Sequence, residues 1–218
     1  MFITLEGIEG SGKTTQIGRI AGFFKEKGYE TVVTREPGDT AVGRKIRAVL
    51  LDPENTGMSP LCELLLYGAD RAQHVSEIVL PALAAGKVVL CDRFADATTV
   101  YQGSARGIDM DLIHKIHDMV LKNLKPDLTL LFDLDPKTGL KRTFAAVENG
   151  QRSDCETRFE REKIEFHKKV RQGYLELAGK EKDRFYIVDA SKGREAVFQQ
   201  IIEGICLKLF FRKKADVK

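Results

Sequence analysis

Gly7-Ile8-Glu9-Gly10-Ser11-Gly12-Lys13-Thr14 follows directly on the apolar run Phe2-Ile3-Thr4-Leu5 and opens a segment with helical spacing from Lys13 to Lys27. The stretch satisfies G-x-x-x-x-G-K-[ST] at every fixed position, between the strand and the helix that the motif requires. In that setting backbone N–H groups and a helix N-terminus converge on an anion. The glycines permit the turns and the close approach of a phosphate chain. Lys13 sets positive charge against β- and γ-phosphates, and the Thr14 hydroxyl is placed to ligate Mg²⁺. Stripped of this context the residues would read as a glycine-rich turn. With it they predict a phosphate loop over 7–14 that binds ATP through Gly7, Gly10, Ser11, Gly12, Lys13, Thr14 and Thr15.

Working outward, apolar runs recur at Thr31 to Thr34, Val88 to Cys91, Leu128 to Phe132 and Phe185 to Val188. Helical spacing separates them at Ala41 to Leu51, Pro60 to Ala84, Met110 to Leu124, Thr157 to Ala178 and Arg194 to Phe211. This βαβ rhythm predicts an α/β fold with about five parallel strands covered by helices on both faces. A length of 218 residues suits a single domain over 1–218. The hydrophobic share of 43% and charged share of 31% exclude a disordered chain. A net charge of only +3, spread along the chain, lacks the basic footprint of a protein whose main partner is nucleic acid. Cys62, Cys91, Cys155 and Cys206 form no C-x-x-C pair, which argues against zinc and a disulfide framework and for reduced thiols. No apolar run approaches the roughly 20 residues of a membrane span, and nothing at Met1 resembles a signal peptide, so a cytoplasmic location is expected. The basic run Arg212 to Lys218 reads as a solvated tail.

The run ending at Cys91 continues into Asp92-Arg93-Phe94. A parallel strand delivers such residues to the C-terminal edge of the sheet, beside the phosphate loop. Asp92 there organises Mg²⁺ together with Thr14, and the fork of Arg93 suits two phosphates that repel each other before transfer. A surface Asp–Arg pair at a strand end is the bland alternative. Between Arg142 and the next helix, 143–158 includes a polar, apolar-poor stretch from Glu148 to Arg158, which reads as a mobile lid. A lid arginine brought in by closure would stabilise charge on the transferring group, and Arg158 and Arg152 are the candidates. A charged loop that is merely solvated is the alternative.

In this order and spacing the phosphate loop, Thr34-Arg35-Glu36-Pro37-Gly38, Asp92-Arg93-Phe94, Tyr101-Gln102-Gly103, Arg106-Gly107, Pro126-Asp127-Leu128-Thr129 and Gly139-Leu140-Lys141-Arg142 resemble the bacterial thymidylate kinases over nearly the whole chain. The resemblance implies a P-loop kinase fold with a short lid, transfer of the γ-phosphate of ATP to dTMP with Mg²⁺, and a homodimer. It departs at Phe94, where the family carries tyrosine. Lys13, Arg93, Arg158 and Arg152 are the implied catalytic set.

For dTMP the resemblance implies Tyr67 stacked on thymine and Arg71, Thr98 and Gln102 bonded to the base. It further implies Tyr101 against the sugar, where a 2′-hydroxyl would project, with Glu9 at the same sugar and Arg35, Arg47 and Arg93 at the acceptor phosphate. Arg142 is implied at adenine. By spacing alone Tyr67 is more often a core residue, and Thr98, Tyr101 and Gln102 are as readily a wet helix face. Surface arginines such as Arg35 and Arg47 are common, and Thr34-Arg35-Glu36-Pro37-Gly38 could be purely a turn. No histidine is needed as a base, since the acceptor oxygen is already anionic, and His74, His114, His117 and His167 read as structural or exposed. Two rival readings stay open: a kinase for another nucleoside monophosphate, such as UMP or AMP, and a nucleotide-dependent switch, against which the absent guanine-reading Asn-Lys-x-Asp element speaks.

Overall fold

Each apolar run forms a strand that extends one residue beyond its apolar pattern: β1 Phe2–Glu6, β2 Thr31–Arg35, β3 Val88–Asp92, β4 Leu128–Asp133 and β5 Phe185–Asp189. The added residue is charged every time. Backbone pairing continues to the edge of the sheet, where Arg35 and Asp92 leave the core, as in the Arg35–Asp92 and Leu5–Asp92 pairs. The computed structural model describes residues 1–150 and 153–210, so Arg152 and the tail Arg212 to Lys218 lie outside the described residues. All pairings are parallel, in the order β2-β3-β1-β4-β5.

The helices are α1 Lys13–Glu26, α2 Ala41–Leu51, α3 Pro60–His74 continued by a π turn at Val75–Val79, α4 Leu80–Ala84, α5 Ala95–Thr98 continued by a π turn at Thr99–Ala105, α6 Met110–Leu121, α7 Pro136–Glu148, α8 Ile164–Lys180 and α9 Arg194–Ile205. Alternation along the strands builds two apolar layers. Ile3, Leu5, Val88 and Leu90 pack with Ile17, Ile20 and Phe24 of α1. Phe2, Val89 and Cys91 pack with Val75, Val79, Ala82 and Phe94. Phe94, in the family's tyrosine position, stands edge-on to Phe2 at 4.9 Å. Its ring therefore serves the core, where a hydroxyl would need a partner.

Local chemistry sets the helix starts. Thr40 and Ser59 accept from the N–H groups of Gly43 and Cys62, and Asp135 from Thr138, with Pro60 and Pro136 in the first turns of α3 and α7. The Asp135-Pro136 start of α7 is a readable signal for a helix absent from the sequence expectations. That helix takes 143–148 out of the expected lid, which begins only after Glu148. The helix expected from Thr157 instead starts at Ile164. A long-range bond and a local one hold the residues before it: Arg158 N–H donates to Leu51 O at 3.3 Å, and the Thr157 hydroxyl to Asp154 O at 2.7 Å. Among the described residues no helix is long and apolar enough to cross a membrane.

Candidate active site

β1 and β3 are neighbours whose outgoing connections run to opposite sides of the sheet, the place where open α/β sheets bind ligands. A single cavity of about 830 Å³ opens there. One end is the phosphate loop, with Arg142, Ala190 and Val197; the other is lined by Arg35, Arg47, Tyr67, Thr98, Gln102 and Phe159; Glu9, Asp92 and Arg93 lie on the same wall.

The loop is shaped by glycines that other residues cannot replace. Gly10 has φ of +68°, and a Cβ on it would run into the carbonyl of Gly139 in α7. Gly7, at φ +135°, lies equally close under Phe132 of β4. Lys13 Nζ donates to the Gly7 and Ile8 carbonyls, both at 3.0 Å, and to Ser11 Oγ at 3.3 Å. Burial and the neighbouring Arg93 charge push the Lys13 ammonium down to about 8, and phosphate oxygens are partners that would favour its charged form. Arg142 Nη1 reaches the Ala190 carbonyl at 3.3 Å and that of Gly10 at 3.5 Å, spanning from α7 to the turn after β5. Thr14 Oγ1 donates to Asp92 Oδ2 at 3.1 Å, so the two expected metal donors stand together. Two hard oxygens beside a phosphate loop fit Mg²⁺, which takes few protein ligands and completes its shell with phosphates and water.

Arg93 is the least relaxed residue of the site, with φ of +69° on a side chain that carries a Cβ. The backbone turn aims its guanidinium at Glu9 Oε1, 2.9 Å away, and over the Tyr101 ring, 5.1 Å from its centre. Glu9 also accepts from Tyr101 OH at 2.6 Å and has His167 Nδ1 at 3.5 Å. Burial works to raise the Glu9 carboxyl, but Arg93, then His167 and Tyr101, hold it well below the usual carboxylate range. An acid inside the phosphate loop is thus tolerated because cations and hydroxyls surround it. His167, read from sequence as structural or exposed, belongs to this cluster; its place as the fourth residue of α8 carried no signal of that.

Beneath Arg93, Glu6 is fully buried and accepts from Phe94 N–H and Tyr174 OH, both at 2.7 Å. Burial and the charge of Asp96 push its carboxyl up to about 8, from an ordinary value of 4.5, against the pull of Tyr174 and Arg93. Folding therefore retains a proton that the unfolded chain gives up. The associated stability is complete below about 4.5 and fades as pH rises to about 8. Glu6→Gln, which cannot ionise, is expected to flatten the dependence of Tm on pH across that window and to exceed the wild type in Tm at pH 8. An unchanged slope in thermal melts at pH 5, 6.5 and 8 would refute the assignment.

Three expected residues are each held by a carboxylate, and of these only Arg47 lines the cavity. Arg71 does not reach the cavity wall: its Nε donates to Glu36 Oε2 at 2.7 Å and its Nη2 to Phe94 O at 3.2 Å, and Glu36, also held by His74, lines the cavity in its stead. Arg158 is drawn away from the phosphates, with Nε bonded to the Leu50 carbonyl and Nη2 2.7 Å from Glu63 Oε2. The buried Glu63 carboxylate is the physical reason, since it supplies the charge partner that phosphates were expected to supply. Arg47 grips Glu156, in the expected lid, with both ends of its fork, at 2.9 and 2.8 Å, and the Pro37 carbonyl at 2.8 Å. Arg35 is exposed at the end of β2 and lines the cavity, as do Thr98, Tyr101 and Gln102. Phe159 and the buried Glu160 complete the wall opposite Tyr67, whose ring centre is 6.4 Å from that of Phe159. Both follow Arg158 directly, beyond the expected end of the lid.

A phosphate loop facing a second, arginine-flanked pocket across an Asp–Arg pair is the layout of a P-loop kinase that brings two phosphorylated ligands together. Within that class the chain belongs to one family: the family model described as Thymidylate kinase matches residues 5–201. The chain is 65% identical over 209 residues to the thymidylate kinase of Desulforapulum autotrophicum, covering 96% of this chain and 92% of that protein. It is 56% identical to that of Desulfosudis oleivorans, over 87% and 89% of the two chains. The crystal structure of thymidylate kinase from Ehrlichia chaffeensis superposes with a TM-score of 0.73 at 34% identity, covering 93% of this chain and 97% of that one.

Proposed function

We propose that the chain transfers the γ-phosphate of ATP to the phosphate of dTMP, giving ADP and dTDP. The observation that carries this reading is the continuity of one cavity from the phosphate loop, past Asp92 and Arg93, to the Tyr67, Thr98 and Gln102 pocket. In this scheme an acceptor phosphate oxygen forms a bond to the γ-phosphorus while the bond to the β–γ bridging oxygen breaks and ADP leaves with the electron pair. The attacking oxygen is already anionic, so the chain supplies position and charge rather than a general base. Lys13 turns from the loop carbonyls onto the β- and γ-phosphates. Arg93, on its strained turn, bridges donor and acceptor. Thr14 and Asp92 would hold Mg²⁺, which neutralises phosphate oxygens when bound.

On the acceptor side Tyr67 offers a ring face to a flat base, and Thr98 and Gln102 bond its edge. Tyr101, fixed by its bond to Glu9, crowds the position of a 2′-hydroxyl. Arg35 and Arg47 flank the acceptor phosphate, and Arg142 borders adenine. Arg158 anchors the lid to α2 and α3 through Leu50 and Glu63. The reading extends to a cytoplasmic homodimer, for which Leu61 and Leu65 of α3 and Leu112 and Met119 of α6 offer exposed apolar side chains on two packed helices. A sedimentation mass of one chain would oppose the dimer.

Coupled ADP production with dTMP, UMP and AMP in turn tests the function. The expected kcat/KM for dTMP exceeds the others by about 100-fold or more, because a buried edge left unpaired by the wrong base is costly. Faster turnover of UMP or AMP overturns the base assignment, and slow ATP hydrolysis indifferent to dTMP would mark a switch instead.

A further inference from the structure

Glu63, in the first turn of α3, is 1% exposed and stands behind the cavity wall without lining it. Its Oε1 accepts from Gln102 Nε2 at 2.8 Å and from Arg106 Nε at 3.3 Å. Its Oε2 faces Arg158 Nη2 at 2.7 Å and Arg106 Nη2 at 3.3 Å. Gln102 is itself 1% exposed and lines the cavity. One turn earlier Thr98 does the same, with a buried hydroxyl that has no hydrogen-bond partner.

A carboxylate facing two guanidinium groups offers only acceptors, whereas a primary amide has one accepting end and one donating end. Gln102 must therefore turn its NH₂ toward Glu63. Its carbonyl oxygen is left as the end that a ligand meets, beside the unpartnered hydroxyl of Thr98. Were residue 63 neutral and able to donate, the amide could present either end.

We propose that Glu63 is a positioning residue for base selection: by orienting the Gln102 amide it makes the pocket accept a pyrimidine that carries a ring N–H at that edge, and reject one that carries a lone pair there. Thymine and uracil have that N–H at N3 and a neighbouring carbonyl for the Thr98 hydroxyl. Cytosine has a bare N3, which sets a lone pair against the Gln102 carbonyl oxygen, so that bond is lost even though the Thr98 hydroxyl could turn to accept from the neighbouring amino group. The inference rests on the proposed acceptor site and deepens it, since it locates the discrimination in a residue that never contacts the nucleotide.

The test compares kcat/KM for dTMP and dCMP in the wild type, Glu63→Gln and Glu63→Asp, with folding checked by circular dichroism. The wild type is expected to prefer dTMP by about 10³-fold or more, as sites that hydrogen-bond a substrate group do. In Glu63→Gln the amide pair can reverse, and the dTMP-to-dCMP ratio is expected to shrink at least ~10-fold, mainly through KM. Glu63→Asp keeps an acceptor-only partner and should preserve the ratio even where overall activity drops. A merely structural role, loosening the lid through Arg158 and Arg106, would lower both substrates equally. An unchanged ratio in Glu63→Gln therefore overturns the inference while leaving the function intact, and a wild type inactive on dTMP overturns the function itself. Should Glu63→Gln not fold, Glu63→Gln/Arg158→Gln removes the stranded guanidinium and carries the same comparison. With the wild type alone, the monophosphate of 3-methylthymidine is expected to raise KM at least ~100-fold, and ordinary turnover of it would equally refute the amide orientation.

Discussion

Arg93→Ala is expected to lower kcat for dTMP phosphorylation by about 10³-fold while changing ATP affinity less than about fivefold, the pattern for a group that acts on the transferring phosphate. The guanidinium lies 2.9 Å from Glu9 and 3.4 Å from Tyr174 OH, half-buried where the two halves of the cavity meet. With both ligands bound and water displaced, charge–charge attraction there is stronger than in water, and little reorganisation is needed during transfer. The phosphate-loop amides and Lys13 stay in place in the variant, so ATP still binds. Arg93→Lys should recover little, because one ammonium cannot bridge two phosphates as a planar fork does. Arg93→Gly separates chemistry from backbone: it relieves the φ of +69° and should melt no lower than Arg93→Ala while being as inactive. Steady-state kinetics beside a binding titration with an ATP analogue checks the split. A rise in KM with kcat preserved would remove Arg93 from the chemistry.

Gly10→Ala should disable the protein by a different route, weakening ATP binding more than tenfold and lowering Tm by about 4–8 °C, the equivalent of about 2 kcal/mol or more in a chain of this size. Two costs combine. The left-handed backbone, at φ +68°, costs a residue with a Cβ about 1–2 kcal/mol. The added carbon also meets the Gly139 carbonyl and, at 2.9 Å, Thr143 Oγ1, and a helix backbone has no rotamer with which to yield. Two companions separate these terms. Gly12→Ala, at φ +94° with open space around it, incurs only the backbone cost. Gly139→Ala incurs only the packing cost, its Cβ pressing on the Glu9 carbonyl from the other side. Calorimetry on the three variants should rank Gly10→Ala as the most damaging. Equal losses for Gly10→Ala and Gly12→Ala would show that α7 does not brace the loop.

Local rules explain what could be read early. The phosphate loop, the strands and Asp92-Arg93 are written in contiguous residues, because a glycine turn, an apolar run and a strand end each depend on neighbours in the chain. The parallel sheet followed from the βαβ rhythm, and the start of α7 was equally legible at Asp135-Pro136. Electrostatic pairing across the chain was not. Arg158 and Glu63 are far apart in sequence, and nothing local in Thr157-Arg158-Phe159 says that the guanidinium answers a buried carboxylate rather than a phosphate. Arg71 was similarly claimed by Glu36, and His167 by Glu9.

By itself, then, the order of residues determined a nucleotide-binding α/β chain with its anion loop and the acid–arginine pair beside it, since those features rest on spacing and backbone geometry within a few residues. Only the tertiary structure decided which charges face the cavity and which neutralise one another behind it. An ionised group deprived of water takes whichever partner the packing brings within about 3 Å, and that partner can come from any part of the chain.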